Sequence, residues 1–280
     1  MDDIARHHYR QQMLQDPRYA DPKRLLRFGA KAYSQFEDDG MIVEIFRRIG
    51  VGNQTFIEFG AGDGLENNTL ALLVSGWRGL WLEGNEANVA AIRTRLAHYL
   101  EAGQLQVAQQ RITRDNVDDL LKRLGPHPEP DLLSIDIDGN DFWVWEAITS
   151  VSPRVVVIEY NATWFPPLAL TIPYREDYEW NGTNYFGASL KALEKLGSHK
   201  GYCLVGCDFG GVNAFFVRAG LVGQNFREPY TAENHYEPPR YWMAQPSGHP
   251  PAVGPLVRIE DGVGPQGSPG GRPNSGPGPR

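Results

Sequence analysis

The chain has 280 residues and a formal net charge of −7. This length allows one large α/β domain with attachments, and the negative charge argues against a general nucleic-acid binder, whose surface is usually basic. The two cysteines, Cys203 and Cys207, have neither C-x-x-C spacing nor a second pair, which argues against a zinc site.

Residues 1–32 are polar and charged, and we predict a partly helical extension there. The chain shows no signal peptide and no apolar run of the ~20 residues that a membrane span needs, so we expect a cytoplasmic protein without a membrane partner. Met41–Ile49 then carries apolar residues at helical spacing. Asp38 and Asp39 precede it and suit the positive end of a helix dipole.

A strand followed by a glycine turn is predicted within residues 55–69, TFIEFGAGDGLENNT. Phe56–Phe59 is apolar and aromatic apart from Glu58, as in a buried parallel strand. Three glycines follow at every second position: Gly60, Gly62 and Gly64. Helical spacing then extends over Leu65–Gly76. Strand, glycine turn and helix bring a backbone against a nucleotide-like ligand, but a dinucleotide turn needs a glycine where this chain has Leu65.

The second predicted strand, Gly79–Gly84, carries an acidic residue at its end, Glu83. Nucleotide-binding sheets place an acid about twenty residues past the glycine turn, where it accepts hydrogen bonds from the ribose hydroxyls. Asn85 lies alongside and also suits the N-terminus of the helix predicted over Ala87–Glu101. The two roles are compatible.

Residues 131–141, DLLSIDIDGND, predict a buried strand whose carboxyl end carries three carboxylates: Asp136, Asp138 and Asp141. Open α/β sheets bind ligands at that edge. Three carboxylates there repel one another, so we expect a cation or a reacting proton nearby. We assign Asp141 to the cap of the following helix and leave Asp136 and Asp138 facing the site.

Arg154–Tyr160, RVVVIEY, predicts another buried strand, with Glu159 at its end. Asp136, Asp138 and Glu159 are the predicted catalytic residues, because they are the groups at this edge that could position a substrate or accept its proton. Asp136 or Asp138 with Glu159 also offers the oxygen ligands that Mg²⁺ prefers. The Asp136 strand contains no histidine that could act as the base.

The rest of the chain predicts a lid, a strand pair and a tail. Residues 162–185 form a long loop rich in aromatics and proline, which we interpret as a lid over the substrate. Tyr202–Val205 and Val212–Val217 predict two further strands. A surface extension is expected over 219–245, and the Pro/Gly/Ser-rich stretch 246–280 predicts a disordered tail.

The glycine segment resembles motif I of class I S-adenosylmethionine (SAM)-dependent methyltransferases, acidic-x-G-x-G-x-G. The residues that carry this resemblance are Glu58, Gly60, Gly62, Asp63 and Gly64. YSQFEDDG at 33–40 resembles the S-Q-x-G-E-D-G stretch of FkbM-type methyltransferases, where Gln35 and Asp39 match but Glu37 and Asp38 depart. The I-D-x-D-G form at Asp136 resembles the I-D-x-x-G of the same enzymes.

The resemblance implies a Rossmann-like seven-stranded class I methyltransferase sheet with helices on both faces, over residues 33–218. It implies SAM as cofactor and the following cofactor-binding residues: Gln35, Glu58, Gly60, Gly62, Asp63, Gly64, Glu83, Asn85 and Asp136. The implied reaction is O-methylation of a small hydroxylated metabolite or saccharide. In metal-dependent sugar and macrolide O-methyltransferases an acidic pair helps to hold Mg²⁺, but Tyr160 or Asn161 replaces its second acid here, so Mg²⁺ stays open.

Two other functions stay open. One is a nonenzymatic binding module on the methyltransferase fold, with the aromatic lid holding a partner protein. The other is an NAD-linked oxidoreductase, which Leu65 at the third glycine position disfavours. The sequence reveals neither the oligomeric state nor the identity of the acceptor.

Overall fold

The computed structural model describes residues 3–243 and 248–261. Its strands are β1 (Thr55–Phe59), β2 (Arg78–Glu83), β3 (Leu105–Gln109), β4 (Leu132–Ile135), β5 (Val155–Glu159), β6 (Leu170–Thr171), β7 (Tyr202–Cys207), β8 (Asn213–Arg218) and β9 (Val257–Arg258). Its α-helices are α1 (Asp3–Met13), α2 (Asp38–Ile49), α3 (Leu70–Val74), α4 (Glu86–Arg95), α5 (Ala97–Glu101), α6 (Val117–Leu124), α7 (Asp141–Ala147), α8 (Leu190–His199), α9 (Ala219–Val222) and α10 (Ala232–His235). Short 3₁₀ turns span Pro17–Tyr19, Leu25–Phe28 and Tyr241–Met243.

Seven strands form one sheet in the order β3-β2-β1-β4-β5-β8-β7. The first five pair in parallel, whereas β8 runs antiparallel to both β5 and β7. This arrangement confirms the predicted fold class, a Rossmann-like seven-stranded class I methyltransferase sheet with helices on both faces. β6 and β9 form a separate antiparallel pair.

The sheet is buried on both faces because its central strands are apolar at successive positions. Side chains alternate between two cores: Ile57 packs with the α6, α7 and α8 side, and Phe56 packs with the α2, α3 and α4 side. By the same two-residue period, Glu58 shares the face of Phe56. This alternation decides where the acidic residues at the strand ends can point.

Two predicted helices are shorter than expected. The helical spacing over Leu65–Gly76 yields only α3, because residues 65–69, which follow the glycine turn, form bends instead of a helix. The helix predicted over Ala87–Glu101 divides at Leu96 into α4 and α5. Within the described residues, no helix is long and apolar enough to cross a membrane.

Part of the predicted tail packs on the domain. β9 pairs with β6, and Ile259 is buried in the core beside α8. Residues 248–261 are therefore not a disordered tail: Val257 and Ile259 alternate as in a strand, a signal that the surrounding glycine and proline obscured. Residues 262–280 lie outside the described part, and the domain boundaries at 32, 218 and 245 stay predictions.

Candidate active site

The carboxyl ends of the central strands border a cavity of about 510 Å³, here called the slot. It lies where the strand order reverses, since β1 stands between β2 and β4, and open α/β sheets bind ligands at this point. Its volume falls within the ~300–1,000 Å³ typical of ligand pockets. Its walls include Gly60, Gly62, Glu83, Asn85, Gln110, Arg111, Asp136, Asp138, Asn140, Tyr178 and Trp180.

A hydrogen bond connects the glycine turn to Glu83, the acidic residue that ends β2. The Gly62 N–H donates to Glu83 Oε2 at 2.9 Å, and the Asn85 N–H donates to Glu83 Oε1 at 2.7 Å. Asn85 also accepts hydrogen bonds from the Ala87 and Asn88 N–H groups and so caps α4. The Glu83 carboxylate is thus held in one orientation on the rim of the slot.

Two glycines of the turn serve different needs. Gly60 has φ +75°, and a Cβ there would lie 1.7 Å from the carbonyl oxygen of Asp136, so only glycine lets the ends of β1 and β4 meet. Gly62 has φ +56°, and a Cβ there would meet nothing within 4 Å. The turn therefore leaves open space where it faces the slot.

Two predicted cofactor residues lie behind the turn and do not line the slot. A Cβ on Gly64 would lie 2.9 Å from Ile92 Cγ1, so this glycine allows close packing of the turn on α4. The half-exposed Asp63 carboxylate accepts a hydrogen bond from Arg95 Nη1 at 2.5 Å. The Gly64 N–H donates to the Ala61 carbonyl oxygen at 3.1 Å, and this turn takes the chain away from the slot after Gly62.

Glu58 does not line the slot either, so its predicted role as a cofactor ligand stays a prediction that the geometry does not support. It lies on the α3 face of the sheet, where Thr69 Oγ1 donates to Glu58 Oε2 at 2.5 Å and the Asn68 N–H donates to Oε1 at 2.9 Å. Burial raises the pKa of Glu58 to about 7, although these hydrogen bonds act in the opposite direction. Glu58 fixes the loop that follows the glycine turn.

The predicted catalytic carboxylates come together. Asp136, Asp138 and Glu159 each offer an oxygen, and these atoms lie within 4.8 Å of one another. They line a second cavity of about 100 Å³, here called the chamber, which shares Asp136, Asp138 and Trp180 with the slot. Gln35 lines the chamber beside the carboxylates and not the slot, and its predicted contact with the cofactor stays a prediction.

The three carboxylates disfavour their own ionisation. Burial raises the pKa of Asp136 and of Glu159 well above the ordinary value, and the neighbouring acids raise both further. Burial and the nearby Glu83 raise the pKa of Asp138. Within the described part of the chain, Glu159 Oε2 is buried without a hydrogen-bond partner. A cation or shared protons would relieve this arrangement.

The turn after β4 is strained at Asp138, a non-glycine residue with φ +58°. Asp141 supports this turn, since its carboxylate accepts hydrogen bonds from the Ile137 N–H at 2.9 Å and the Gly139 N–H at 2.8 Å. Burial raises the pKa of Asp141 to about 6. Asp141 is thus the first residue of α7 and braces the preceding turn, which corrects its predicted role as the helix cap.

The sequence analysis missed Tyr241 and His249, which close the chamber. Their rings stack with centroids 4.4 Å apart, and His249 also packs against Trp180 and Phe186. Burial lowers the pKa of His249. No local pattern marks these residues, because they lie more than 80 positions after Glu159 and within or beside a Pro/Gly-rich stretch. Of the described aromatic residues that line the chamber, only Trp180 lies in the predicted lid.

A further cavity of about 470 Å³ lies on the α7 and α8 side of the molecule, away from the glycine turn. Apolar side chains line it together with Lys195, His199 and Lys200. Its lining brings together neither the carboxylates nor the glycine turn, so it is not our candidate.

No protein-family model matches the chain, and a search of curated proteins found no match. Among solved structures, a SAM-dependent methyltransferase from Clostridium acetobutylicum aligns at 11% identity over 77% of this chain and 98% of that one, with a TM-score of 0.39. The O-methyltransferase TomG from Streptomyces achromogenes, solved in complex with SAM, aligns at 16% identity over 58% and 76%, with a TM-score of 0.37. A METTL16 methyltransferase domain aligns at 15% identity over 44% of this chain, with a TM-score of 0.32, and the match spans about half (51%) of that domain.

Proposed function

We propose that the chain is a SAM-dependent methyltransferase, with SAM in the slot and a small acceptor at the chamber. SAM supplies an electrophilic methyl group to a nucleophile held in line. The proposed acceptor is a hydroxylated metabolite or a saccharide, and the proposed product is its O-methyl derivative.

The main support for the proposal is the hydrogen bond between the glycine turn and Glu83. The 2.9 Å hydrogen bond from the Gly62 N–H fixes this carboxylate beside open space on the rim of the slot. Each carboxylate oxygen accepts one protein hydrogen bond and keeps a further lone pair. Glu83 can therefore accept hydrogen bonds from two ribose hydroxyls without releasing the turn.

The chamber carboxylates have two proposed roles. A sugar hydroxyl holds its proton about as tightly as water, so the reaction needs a group that receives the proton in the transition state. Asp136 and Asp138 line both the slot and the chamber, and Glu159 lines the chamber, which supports a role for these three residues as proton acceptors. Their raised pKa values suit a general base better than an ordinary carboxylate would.

Mg²⁺ is an alternative for the same carboxylates. Three oxygen donors within 4.8 Å of one another, one of them without a hydrogen-bond partner, fit a hard cation that would help to acidify the acceptor hydroxyl. Once an acceptor is known, methyl transfer in EDTA and with added Mg²⁺ decides between the two. Full activity in the chelator favours the carboxylates as bases.

Calorimetry with S-adenosylhomocysteine (SAH) tests the proposal before any acceptor is known. We expect Glu83→Ala to weaken binding by roughly tenfold or more, because a hydrogen bond to a charged group contributes about 1.5–3 kcal/mol. Glu101→Ala, an exposed acid at the end of α5, is the matched control and should bind SAH as the original chain does.

The same titration separates the other candidates. Unchanged affinity in Glu83→Ala would remove this residue from the site. Failure of the original chain to bind any adenosyl ligand would favour the nonenzymatic binding module. Tighter binding of NAD than of SAH, measured by the same calorimetry, would favour the oxidoreductase.

A further inference from the structure

The chamber is small, and three carboxylates lie together in its lining. Asp136, Asp138 and Glu159 approach within 4.8 Å of one another on one side of a cavity of about 100 Å³. This volume is about a fifth of that of the slot, with which the chamber shares Asp136, Asp138 and Trp180. The chamber is therefore suited to one end of a molecule that extends into the slot or toward solvent.

No lysine or arginine among the described residues lines the chamber to neutralise this charge. Residues 244–247, AQPS, contain no charged residue. A cation from outside the protein is thus the simplest partner for these carboxylates.

A second, independent feature points to a ligand. Tyr241 is more than nine-tenths buried and lines the chamber, and within the described residues its hydroxyl has no hydrogen-bond partner. Glu159 Oε2 is likewise without a partner there. A buried hydroxyl and a carboxylate oxygen left open together are two acceptors for N–H donors.

Most of the other described residues in the chamber walls are aromatic. Trp180, Phe186 and Tyr241 line the chamber with Phe36 and the ring of His249. Aromatic faces attract cations, most strongly where water is excluded. They also pack against the carbon atoms next to an ammonium group, which a bare metal ion does not possess.

We propose that the chamber binds an ammonium group of the methyl acceptor, which makes the acceptor an amino alcohol or an amino sugar. The carboxylates pair with the charge, the Tyr241 oxygen accepts an N–H, and the aromatic rings enclose the adjoining carbon. The hydroxyl of the same acceptor then lies toward the slot. This inference rests on the proposed function for the identity of the second substrate.

Saturation-transfer NMR tests the inference with two small probes, ethanolamine and ethylene glycol, which differ by one ammonium in place of one hydroxyl. The protein is loaded with saturating SAH and kept in EDTA. We expect a transfer signal from ethanolamine at least fivefold stronger than that from ethylene glycol. Glu159→Gln should reduce the ethanolamine signal severalfold, whereas the exposed control Glu101→Gln should leave it unchanged.

Three outcomes would overturn the inference. Equal signals from the two probes would show that charge is not recognised. Loss of the ethanolamine signal on loading with SAH would assign the chamber to the amino-acid end of the cofactor. Displacement of ethanolamine by millimolar Mg²⁺ in the absence of EDTA would make it a metal site.

Folding and cofactor binding are checked separately. Circular dichroism and SAH calorimetry on Glu159→Gln show whether the variant keeps its fold and its slot. If SAH does not bind even the original chain, the proposed function fails. The comparison of the two probes in the unloaded protein still reports on the chamber itself.

Discussion

Glu58 lies near the end of β1, and Glu159 ends β5 in the same sheet. The hydrogen bonding of their carboxylates nevertheless differs. Both oxygens of Glu58 accept hydrogen bonds, from Asn68 and Thr69, and the Trp81 indole N–H extends the chain of bonds by donating to Thr69 Oγ1 at 2.7 Å. Glu159 faces two other acids and keeps one buried oxygen without a partner in the described structure.

The difference separates structure from function in this molecule. The glycine turn, its loop and Glu83 form a network whose polar groups are satisfied, so the slot is built before any ligand arrives. In the chamber, by contrast, a Glu159 oxygen has no hydrogen-bond partner among the described residues, and the carboxylates repel one another. The backbone is also strained at Asp138. Such local conflict is expected at a functional site, where stability is lost to keep groups available.

The largest loss of stability is expected at Gly60, where the glycine turn has no room for a side chain. Gly60→Ala places a methyl group 1.7 Å from the Asp136 carbonyl oxygen and forces an alanine to φ +75°. We expect a loss of about 3 kcal/mol or more in the free energy of unfolding, from overpacking and backbone strain together. Urea unfolding measures it. Gly62→Ala is the matched control, with strain but no clash, and should cost only about 1 kcal/mol; equal costs would contradict the close approach of β1 and β4.

The second effect tests the satisfied carboxylate. Glu58→Ala leaves the Asn68 N–H and the Thr69 hydroxyl buried without their acceptor. We expect a loss of about 2–3 kcal/mol in urea unfolding, because unsatisfied buried donors cost about 1–3 kcal/mol each and the site partly relaxes. The exposed Glu66→Ala should change stability by less than about 0.5 kcal/mol. A tolerated Glu58→Ala would mean that its network contributes little.

The third substitution is expected to increase the free energy of unfolding, unlike the first two. Glu159→Gln removes one of three repelling charges at nearly constant volume, and we expect a gain of about 1 kcal/mol at pH 7.5 without ligand. The pKa of Glu159 is raised in the folded protein above its unfolded value of about 4.3. The stability that the protonated carboxyl contributes is therefore complete below a pH of about 4.3 and is lost as the pH rises through the folded pKa.

The gain from Glu159→Gln should therefore shrink when urea unfolding is repeated at pH 5, because more of the original carboxyl is protonated there than at pH 7.5. Asp136→Asn offers a parallel variant, since its pKa is raised for the same reasons. A gain that does not change with pH would contradict repulsion as its origin. A loss of stability at both pH values would show that Glu159 has a partner on which folding depends.

The smallest effect concerns a residue that the methyltransferase motif emphasises. Asp63→Ala removes a half-exposed ion pair with Arg95 outside the slot. Solvent screens such pairs, so we expect SAH affinity within about twofold of the original and a stability change below about 0.5 kcal/mol. Calorimetry with Arg95→Ala as its partner control decides the point. A tenfold loss of affinity confined to Asp63→Ala would place its carboxylate on the cofactor.

The sequence predicted those parts of the molecule that depend on local pattern. The strands at Glu58, Glu83, Asp136 and Glu159 follow from apolar runs that end in glycine or acid, and parallel strands bring such ends to one edge. What the pattern did not supply was the direction of each side chain. Glu58 and Asp63 match a motif, but the two-residue period of β1 and the reversal of the turn direct both away from the slot.

The chamber was beyond sequence reasoning for a different reason. Its walls at Phe186, Tyr241 and His249 are joined to Asp136 only by tertiary packing. No periodicity links residues separated by 50 to more than 100 positions, and proline and glycine around His249 imitate the composition of disordered chains. The pairing of β9 with β6 is the contact that such composition concealed.

That pairing has a consequence for how the protein is made. A ribosome releases the polypeptide from its first residue onward, and domains acquire structure as segments emerge. The side chains around the slot lie between positions 60 and 180, whereas Tyr241, His249 and β9 emerge some 60 or more residues later. During synthesis the residues of the slot are thus supplied first, and the walls of the chamber are completed last.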